Sequence, residues 1–477
     1  IEMILLPKSF PLNLYSFSVF GRANIVPLMI LANRKSQFKS EMSPDLSNLG
    51  TQELNTFRNS NEWQQLFSLI EQGVNHLIGF PEHMEQLALR KATQYMLSRI
   101  EPDGTFSSYF SSTFLMIFAL LSLGYAKTDP IILKAVSGLK KMETEIKGLP
   151  HMQYTTASVW NTSLISTALQ NAGVSYTDPM IIKANHYLLR RQHVKSGDWL
   201  IHNPTGRPGG WGFSDINTFH PDVDDTTAAL RSLSRIVKEN TLYYPSWKNG
   251  LNWLLSMQND DGGWPAFERS INNKLLKLLP IEGAEFLIAD PSTPDLTGRT
   301  LEYLGLYTNL GRDHKAIKDG ITWMLRHQED NGSWYGRWGI CYLYGTWAAV
   351  TGLIASGVRA DHLSIVKAVK WLHEVQEDDG GWGESCKSDR ASRFVSLGTG
   401  TLTHTAWALD ALISAADKPT ESILKGISFI LNNLEQEDWT TDYPAGQGMA
   451  GAFYIHYHSY RYIYPLIALS HYQRKYG

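Results

Sequence analysis

The sequence predicts an all-α fold of tandem helix pairs, because one kind of helix end recurs along the chain. The segments 251–264, 321–334 and 369–382 each combine an apolar helix face with a final Gln, three further residues, Gly, one residue and Trp. Apolar residues three and four apart make such a face, and the Gly permits the left-handed backbone that ends a helix. The Gln amide can bond groups left open at a helix end, and the Trp ring packs on a neighbour.

Weaker copies of this helix end close at Phe106, Trp199 and Trp439. Between the copies lie helical segments that are richer in small and apolar residues, namely 226–233, 344–356 and 404–415. Helix pairs whose second member is more apolar suggest two concentric rings, with the small-residue helices inside. An open solenoid is the alternative, but a closed α/α toroid buries inner helices this apolar more fully.

The bulk composition describes a globular protein and excludes several classes of function. Hydrophobic residues make up 43% of the 477 residues and charged residues 19%, which is typical of a large core rather than of disorder. The formal net charge of −3 argues against a nucleic-acid partner. Cys341 and Cys386 are the only cysteines. They are too few for a disulfide framework, which favours a reduced, intracellular compartment.

The opening stretch of the chain is apolar but does not predict a transmembrane helix. Pro7, Pro11 and Pro27 interrupt it, and no uninterrupted run reaches the ~18 apolar residues that such a helix needs. It also lacks the basic start and the cleavage site of a signal peptide. An apolar surface that enters one leaflet of a membrane is compatible with this pattern.

The motif Asp222-Val223-Asp224-Asp225 opens one of the small-residue helices. Asp at a helix start caps free amide groups and favours the helix dipole, so capping is one interpretation. Three carboxylates in four residues are more than a cap needs, and they repel one another when all are ionised. Clustered carboxyls share protons, so that one of them stays neutral and can act as a strong acid. An acid catalyst is therefore the second interpretation of the motif.

Together, the Gln-xxx-Gly-x-Trp element and the Asp-x-Asp-Asp motif resemble the squalene–hopene cyclase family over essentially the whole chain. Segments 328–349 and 380–389 are most similar to its bacillus-type branch, the tetraprenyl-β-curcumene cyclases or sporulenol synthases. The resemblance implies two α/α barrels joined as a dumbbell. Residues 149–477 would form the catalytic barrel, and residues 1–148 a second barrel with an apolar, membrane-facing surface. Family members carry a further ~150 residues upstream, so we expect this second barrel to be incomplete.

The same resemblance implies the activity of a class II terpene cyclase. Such an enzyme would protonate the terminal alkene of a neutral polyprenoid, either tetraprenyl-β-curcumene or squalene. Cationic polycyclisation would follow and end in water capture or proton loss. The resemblance also implies no metal, no cofactor, monotopic attachment to the cytoplasmic side of the cell membrane, and a homodimer. A hopene- or hopanol-forming enzyme is the nearest alternative, and a noncatalytic helical-repeat scaffold is the alternative from another class.

By resemblance Asp224 is the proton donor, and Asp222 and Asp225 support it. Arg299 stands where hopene cyclases carry a His that bonds the donor. A guanidinium favours the carboxylate and so opposes reprotonation, unless the two neighbouring carboxyls absorb its charge. The other interpretation of Arg299 is a salt bridge that ties the motif down.

Cations formed from a polyene need an apolar wall, because water or a base would quench them, whereas aromatic faces stabilise positive charge. By resemblance this wall includes Trp160, Phe213, Phe267, Trp338, Tyr344, Phe453, Tyr454, Tyr457, Tyr460, Phe20 and Phe110. Core packing is the commoner role for any one of them. Phe267 replaces a Tyr of the hopene cyclases, and Phe110 replaces a Gln that holds water. These two departures favour another substrate tail or an earlier stop over pentacyclic hopene.

Overall fold

The computed structural model describes residues 1–38, 81–272, 288–449 and 453–477, and most of them are helical. They form two compact units. The first comprises Ile1–Thr156, Ile216–Phe219 and Ile271–Asp290, and the second comprises Ala157–Asp215, His220–Ser270 and Pro291–Gly477. The single boundary expected between residues 148 and 149 stays a prediction. No helix within the described ranges is long and apolar enough to cross a membrane.

The described part of the first unit is helical and ends in a hairpin. Its elements are α1 (Val19–Arg34), α2 (Pro81–Leu97), α3 (Phe110–Ser122), α4 (Pro130–Lys140), β1 (Glu143–Ile146) and β2 (Leu149–Met152). Helix α1 packs on α2 and α3, and α3 packs on α4. The side chains of Val26, Met96 and Leu120 are fully buried, so the helices of this unit share one apolar core.

The second unit contains two rings of helices. The inner helices are α5 (Ser158–Asn171), α7 (Val223–Glu239), α9 (Pro294–Tyr307), α11 (Tyr342–Ala355), α14 (Leu402–Ala415) and α16 (Tyr460–Tyr476). The outer helices are α6 (Pro179–Arg191), α8 (Tyr244–Ser256), α10 (Lys315–Arg326), α12 (Leu363–Glu374) and α15 (Glu421–Asn433). Each inner helix contacts the next, and α16 contacts α5, so the inner ring closes. The predicted α/α toroid is confirmed, and the open solenoid is wrong.

Two smaller features complete the second unit. A short helix, α13 (Lys387–Ala391), follows α12, and a hairpin of β3 (Gly446–Met449) and β4 (Phe453–Ile455) precedes α16. The all-α prediction included neither this hairpin nor the one in the first unit. Both are short local pairings within a helical fold, so the fold class stands.

The inner helices run in the same direction. Near the starts of α5 and α16, the indole of Trp160 donates a hydrogen bond to the hydroxyl of Tyr460 at 2.8 Å. At the ends of the same helices, Arg474 donates to the carbonyl of Asn171 at 2.9 Å. Because an outer helix returns the chain between the first five inner helices, their starts lie at one end of the ring.

Glycine explains how two inner helices approach so closely. A Cβ atom at Gly298 of α9 would lie 2.3 Å from the carbonyl oxygen of Ala348 in α11, and one at Gly305 would lie 2.2 Å from the carbonyl oxygen of Ala355. Any larger side chain would push the two backbones apart. The small residues seen in the inner segments are therefore a packing requirement of the ring.

The recurring Gln connects successive outer helices. The side-chain amide of Gln376 donates to the carbonyl of Gly380 at 2.8 Å and to the carbonyl of Ser422, in the first turn of α15, at 3.0 Å. Gly380 has a φ of +86°, which is the left-handed backbone that was predicted at the helix end. Gln258 and Gln328 make the same two bonds at their own positions.

The recurring Trp connects an outer helix to the following inner helix. The indole of Trp382 donates to the carbonyl of Leu372 in α12 at 2.8 Å, and its backbone N–H donates to the hydroxyl of Thr405 in α14 at 2.9 Å. We call this set of Gln and Trp bonds a joint. The inner helices accept the second bond on equivalent threonines, namely Thr226, Thr297, Thr346 and Thr405.

One predicted copy of the repeat needs correction. The copy that begins at Gln192 was expected to end at Trp199, but the joint is completed by Trp211. Gln192 donates to the carbonyl of Gly209 at 2.7 Å, and the backbone N–H of Trp211 donates to Thr226 at 2.9 Å. The intervening residues form a loop in which Trp199 packs edge-on against Trp253. The loop separates Gln from Trp in sequence but not in space.

Candidate active site

The aspartate motif lies at the start of inner helix α7. Asp222 is the N-cap, and its Oδ1 accepts a hydrogen bond from the backbone N–H of Asp225 at 2.7 Å. Its own N–H donates to the carbonyl of Trp211 at 2.8 Å, which attaches the motif to the joint before it. Capping therefore describes Asp222. It does not account for the side chain of Asp224.

Two of the three carboxyls are buried in a way that favours their protonated form. Burial raises the pKa of Asp222 to about 7. Burial, together with the charge of Asp222, raises the pKa of Asp225 well above its ordinary value. The two side chains also hydrogen-bond each other, which lowers the pKa of Asp222 and raises that of Asp225. This pair of carboxyls can hold a proton near neutral pH.

Asp224 has a different environment. Its side chain is 16% exposed, and its Oδ1 accepts a hydrogen bond from Nε of Arg299 at 2.5 Å. Arg299 projects from the neighbouring inner helix α9 and is only 2% exposed. The structure thus brings together Arg299 and Asp224, the two residues whose relation the sequence left open, as a close ion pair.

Aromatic side chains adjoin the acid on one side. Trp160 stacks on Phe213 with ring centroids 6.2 Å apart, and Phe213 meets Tyr457 edge-on at 6.3 Å. Tyr457 stacks on Tyr460 at 4.3 Å. The hydroxyl of Tyr460 accepts the indole hydrogen bond of Trp160, which closes the set. Four of the predicted wall residues therefore form one contiguous group.

A second aromatic group includes residues that the sequence analysis missed. Tyr344 lies 4.8 Å from Trp407 and 5.5 Å from Trp347, measured between ring centroids. Tyr464 meets both tryptophans edge-on, at 5.3 and 5.4 Å. Trp347 stands three residues after Tyr344, and Tyr464 stands four residues after Tyr460. That helical spacing places each pair on one face of its helix. It was the sequence signal from which Trp347 and Tyr464 could have been predicted as wall residues.

The tyrosines of both groups are buried, except for the half-buried Tyr457, and all of them are neutral. Burial raises the pKa of Tyr344, Tyr457, Tyr460 and Tyr464 above the ordinary value of a phenol. A phenolate would be a base and a nucleophile, whereas a neutral phenol presents a π face. The wall can therefore stabilise positive charge without removing a proton.

Trp338 and Phe267 form a further aromatic pair. Their ring centroids are 5.9 Å apart in an edge-on arrangement. The backbone N–H of Trp338 donates to Asp295 Oδ2 at 2.8 Å. Asp295 is thus a fourth carboxylate near the motif, and sequence reasoning did not identify it.

Four predicted wall residues remain. The hydroxyl of Tyr454 donates to the carbonyl of Cys386 at 2.9 Å, and Phe453 precedes it in β4. Phe20 and Phe110 belong to the first unit, in α1 and at the start of α3. The substrate-binding role of these four residues stays a prediction. In the described ranges, no group of three or more His, Cys, Asp or Glu side chains is arranged to hold a metal ion.

Comparison with known proteins assigns the family. Residues 156–474 match the profile described as Squalene-hopene cyclase C-terminal domain, and residues 1–147 match that of the N-terminal domain. Sporulenol synthase from Bacillus subtilis (strain 168) is 45% identical over 99% of this chain and 74% of its own length. Squalene–hopene cyclase from Alicyclobacillus acidocaldarius is 34% identical over 99% of this chain and 75% of its own length.

A solved structure supports the fold alone. The ent-copalyl diphosphate synthase from Streptomyces platensis aligns with a TM-score of 0.50 at 16% identity, over 78% of this chain and 59% of that protein. The two family profiles and the two relatives carry the assignment further than this likeness does. The chain belongs to the squalene–hopene cyclase family and is a class II terpene cyclase.

Proposed function

We propose that Asp224 protonates the terminal alkene of a neutral polyprenoid and that the aromatic groups hold the cations that follow. One observation carries this proposal. Asp224 is the only carboxyl of the motif with an exposed side, whereas Asp222 and Asp225 are buried with a raised pKa. The substrate can reach the carboxyl of Asp224 and cannot reach those of Asp222 and Asp225.

Protonation of an alkene needs a strong acid, and Arg299 supplies part of the strength. The proton moves from the Asp224 carboxyl to the less substituted alkene carbon, and the π electron pair forms the new C–H bond. A tertiary cation and an Asp224 carboxylate remain. The guanidinium at 2.5 Å stabilises that carboxylate, so it favours loss of the proton. The same contact opposes reprotonation, and the buried carboxyl pair beside it is the nearest proton reserve.

The cation then meets the aromatic groups. Each cation–π contact contributes about 0.5–2 kcal/mol, at the upper end where water is excluded. Trp160, Phe213 and Tyr457 lie in the contiguous group next to the acid, where the first positive charge forms. Prefolding of the chain against such a wall brings successive double bonds within reach of each other.

Tetraprenyl-β-curcumene is the substrate that we favour. The resemblance to the sporulenol branch supports it, as do Phe267 and Phe110 in place of the polar residues of hopene cyclases. Squalene is the second candidate, because a squalene–hopene cyclase is also a relative, at the lower identity of 34%. Either substrate is long, neutral and apolar, and the proposed acid chemistry is the same.

We also propose monotopic attachment to the cytoplasmic face of the cell membrane. Several large apolar side chains of the first unit are exposed, including Leu28, Phe114 and Leu133, which suits a surface that enters one leaflet. Flotation with phospholipid vesicles tests the attachment, and protein that stays at the bottom of the gradient contradicts it. The proposed homodimer rests on the family resemblance, and sedimentation in detergent tests it.

The experiment that tests the activity compares products from the two substrates. Purified full chain in detergent is incubated with squalene or with tetraprenyl-β-curcumene, and the extracts are analysed by gas chromatography–mass spectrometry. Asp224→Asn is run beside Asp313→Asn, a matched change at an exposed loop position. We expect cyclised product from the wild type and from Asp313→Asn only. Equal product from Asp224→Asn contradicts the assignment of the acid.

A further inference from the structure

Arg299 is held by two tryptophans as well as by Asp224. Its guanidinium carbon lies 5.1 Å from the ring centroid of Trp160 and 5.4 Å from that of Trp347. These distances are within the range of cation–π contacts. The two rings come from helices α5 and α11 and the carboxylate comes from α7, so three inner helices besides its own helix α9 meet at this guanidinium. A long, flexible side chain needs such contacts if one of its nitrogens is to stay on one oxygen.

Each of these tryptophans is anchored through its indole N–H. Trp160 donates to the hydroxyl of Tyr460 at 2.8 Å. Trp347 donates to Oδ2 of Asp410, in inner helix α14, at 2.7 Å. The first anchor is neutral and belongs to the proposed cavity wall. The second is a carboxylate that no step of the proposed reaction uses.

Asp410 is also bound to a histidine. Its Oδ1 lies 2.7 Å from Nδ1 of His471, which projects from α16 and is 26% exposed. Burial by itself would raise the pKa of Asp410, but the hydrogen bond and the charge of His471 bring that pKa below its ordinary value. A buried carboxylate is costly, and apolar side chains would often fill the same space at least as well. Packing alone therefore gives no reason for a buried carboxylate at this position.

We infer that Asp410 and His471 are positioning residues for the acid, because they fix the ring of Trp347 and thereby hold the Arg299 guanidinium against Asp224. This inference rests on the proposed role of Asp224. It adds that the acid depends on the side chains of Asp410 and His471, which contact neither the substrate nor the aspartate motif. The dependence on Asp410 and His471 is specific to the arginine. A histidine at residue 299 has a shorter and more rigid side chain, so it would need fewer contacts to stay in place.

The first test removes the anchor in steps. Asp410→Leu deletes both hydrogen bonds, and Trp347→Phe keeps an aromatic ring but deletes the indole donor. We expect each change to lower kcat by ~10–100-fold with KM within about twofold, because a misplaced catalytic group loses rate rather than substrate binding. Asp410→Asn keeps an oxygen for Trp347 and offers an N–H to His471, so it should restore kcat to within ~5-fold of the wild type.

The second test asks whether the effect passes through Arg299. Asp410→Leu is measured alone and in an Arg299→His background. We expect a loss at least ~10-fold smaller in that background, since residues that act as a unit are non-additive. If Arg299→His is itself too slow to assay, the double variant Trp347→Phe with Asp410→Leu should lose no more rate than either single variant. The midpoint of thermal unfolding is followed for every variant.

The outcomes separate the two claims. The positioning role is overturned if the rate losses multiply when Asp410→Leu is combined with Arg299→His and when it is combined with Trp347→Phe. It is also overturned if Asp410→Asn is as slow as Asp410→Leu. In either case the assignment of the acid still stands. Cyclised product from Asp224→Asn removes the acid itself, and the positioning role falls with it. A loss of kcat that simply follows a lower unfolding midpoint in all variants also overturns the inference, since it indicates a general packing role.

Discussion

The starts of helices α7 and α9 occupy the same place in the repeat but hold different kinds of carboxylate. Asp224 stands two residues before the joint threonine Thr226, and Asp295 stands two residues before Thr297. Both lie in the first turn of an inner helix. The repeat therefore places a side chain at equivalent positions of two neighbouring helices, and the surroundings decide what that side chain does.

The surroundings differ in the number and the kind of donors. Asp295 is fully buried and accepts hydrogen bonds from the hydroxyl of Thr293 at 2.5 Å and from two backbone N–H groups. One of those groups belongs to Trp338, beyond its own helix. Asp224 accepts from the guanidinium of Arg299 and keeps an exposed side. A carboxylate with all its acceptors used stabilises the fold, whereas one with a free side can carry out chemistry.

The largest effect should come from Asp224→Asn. We expect the rate of cyclisation to fall by at least ~10³-fold, because the amide has no acidic proton to donate. The free energy of unfolding should also fall, by about 3 kcal/mol, because the buried guanidinium of Arg299 loses its carboxylate partner, so the rate is taken per folded molecule. Initial rates by gas chromatography and urea unfolding measure the two effects. A rate per folded molecule that falls less than tenfold would make Asp224 resemble Asp295 and would contradict the difference between the two carboxylates.

Asp295→Asn should lower the stability with little effect on the rate of the folded molecule. The amide cannot accept from all three donors, and a buried N–H or hydroxyl left without a partner costs about 2–3 kcal/mol. We expect that loss in urea unfolding, with the rate per folded molecule reduced less than tenfold. An Asp295→Asn variant that is fully stable yet inactive would indicate a catalytic role for Asp295 instead.

Asp222 makes stability depend on pH near neutrality. Its folded pKa of about 7 lies above the ordinary value of 3.8, so the folded state binds the proton more tightly. The stability that this proton contributes is complete below the ordinary pKa and is lost as the pH rises through about 7. We expect the free energy of unfolding to fall by about 1–2 kcal/mol between pH 5 and pH 7. Asp222→Asn should flatten this decline, and an unchanged slope contradicts the buried proton.

The smallest effects should be equal at the two helices. Thr226→Val and Thr297→Val each remove a hydroxyl that accepts a hydrogen bond from the backbone N–H of a tryptophan, at 2.9 and 3.0 Å. Each change should lower the free energy of unfolding by about 1 kcal/mol. Chemical denaturation of the two variants checks the values against each other. A difference above ~1 kcal/mol would show that the two joints are not equivalent. The starts of α7 and α9 could then no longer be compared as equivalent positions of the repeat.

Sequence reasoning reached the features that depend on local spacing. The apolar faces, the left-handed glycines and the closed ring follow from residues three to six apart, and the structure has them. The pairing of Asp224 with Arg299 needed the family resemblance, since the two residues are 75 positions apart. The copy expected at Trp199 was wrong because an inserted loop moved the tryptophan of the joint to Trp211.

Contacts across the ring were beyond that kind of reasoning. Asp410 meets Trp347 and His471 at separations of 63 and 61 residues, and nothing local to any of them signals the meeting. Trp347 and Trp407 were hidden for a related reason. They lie in segments whose small and apolar composition already had a sufficient explanation in packing.

The common direction of the inner helices gives the ring an electrical polarity. Each helix start carries a partial positive charge of roughly half a unit, and the acid lies among these starts. Once Asp224 has lost its proton, this field stabilises the negative charge left at that end of the ring. A cation is repelled from the same end, so we expect positive charge to move along the substrate away from the acid. The field would give the succession of ring closures a direction before any single residue acts on it.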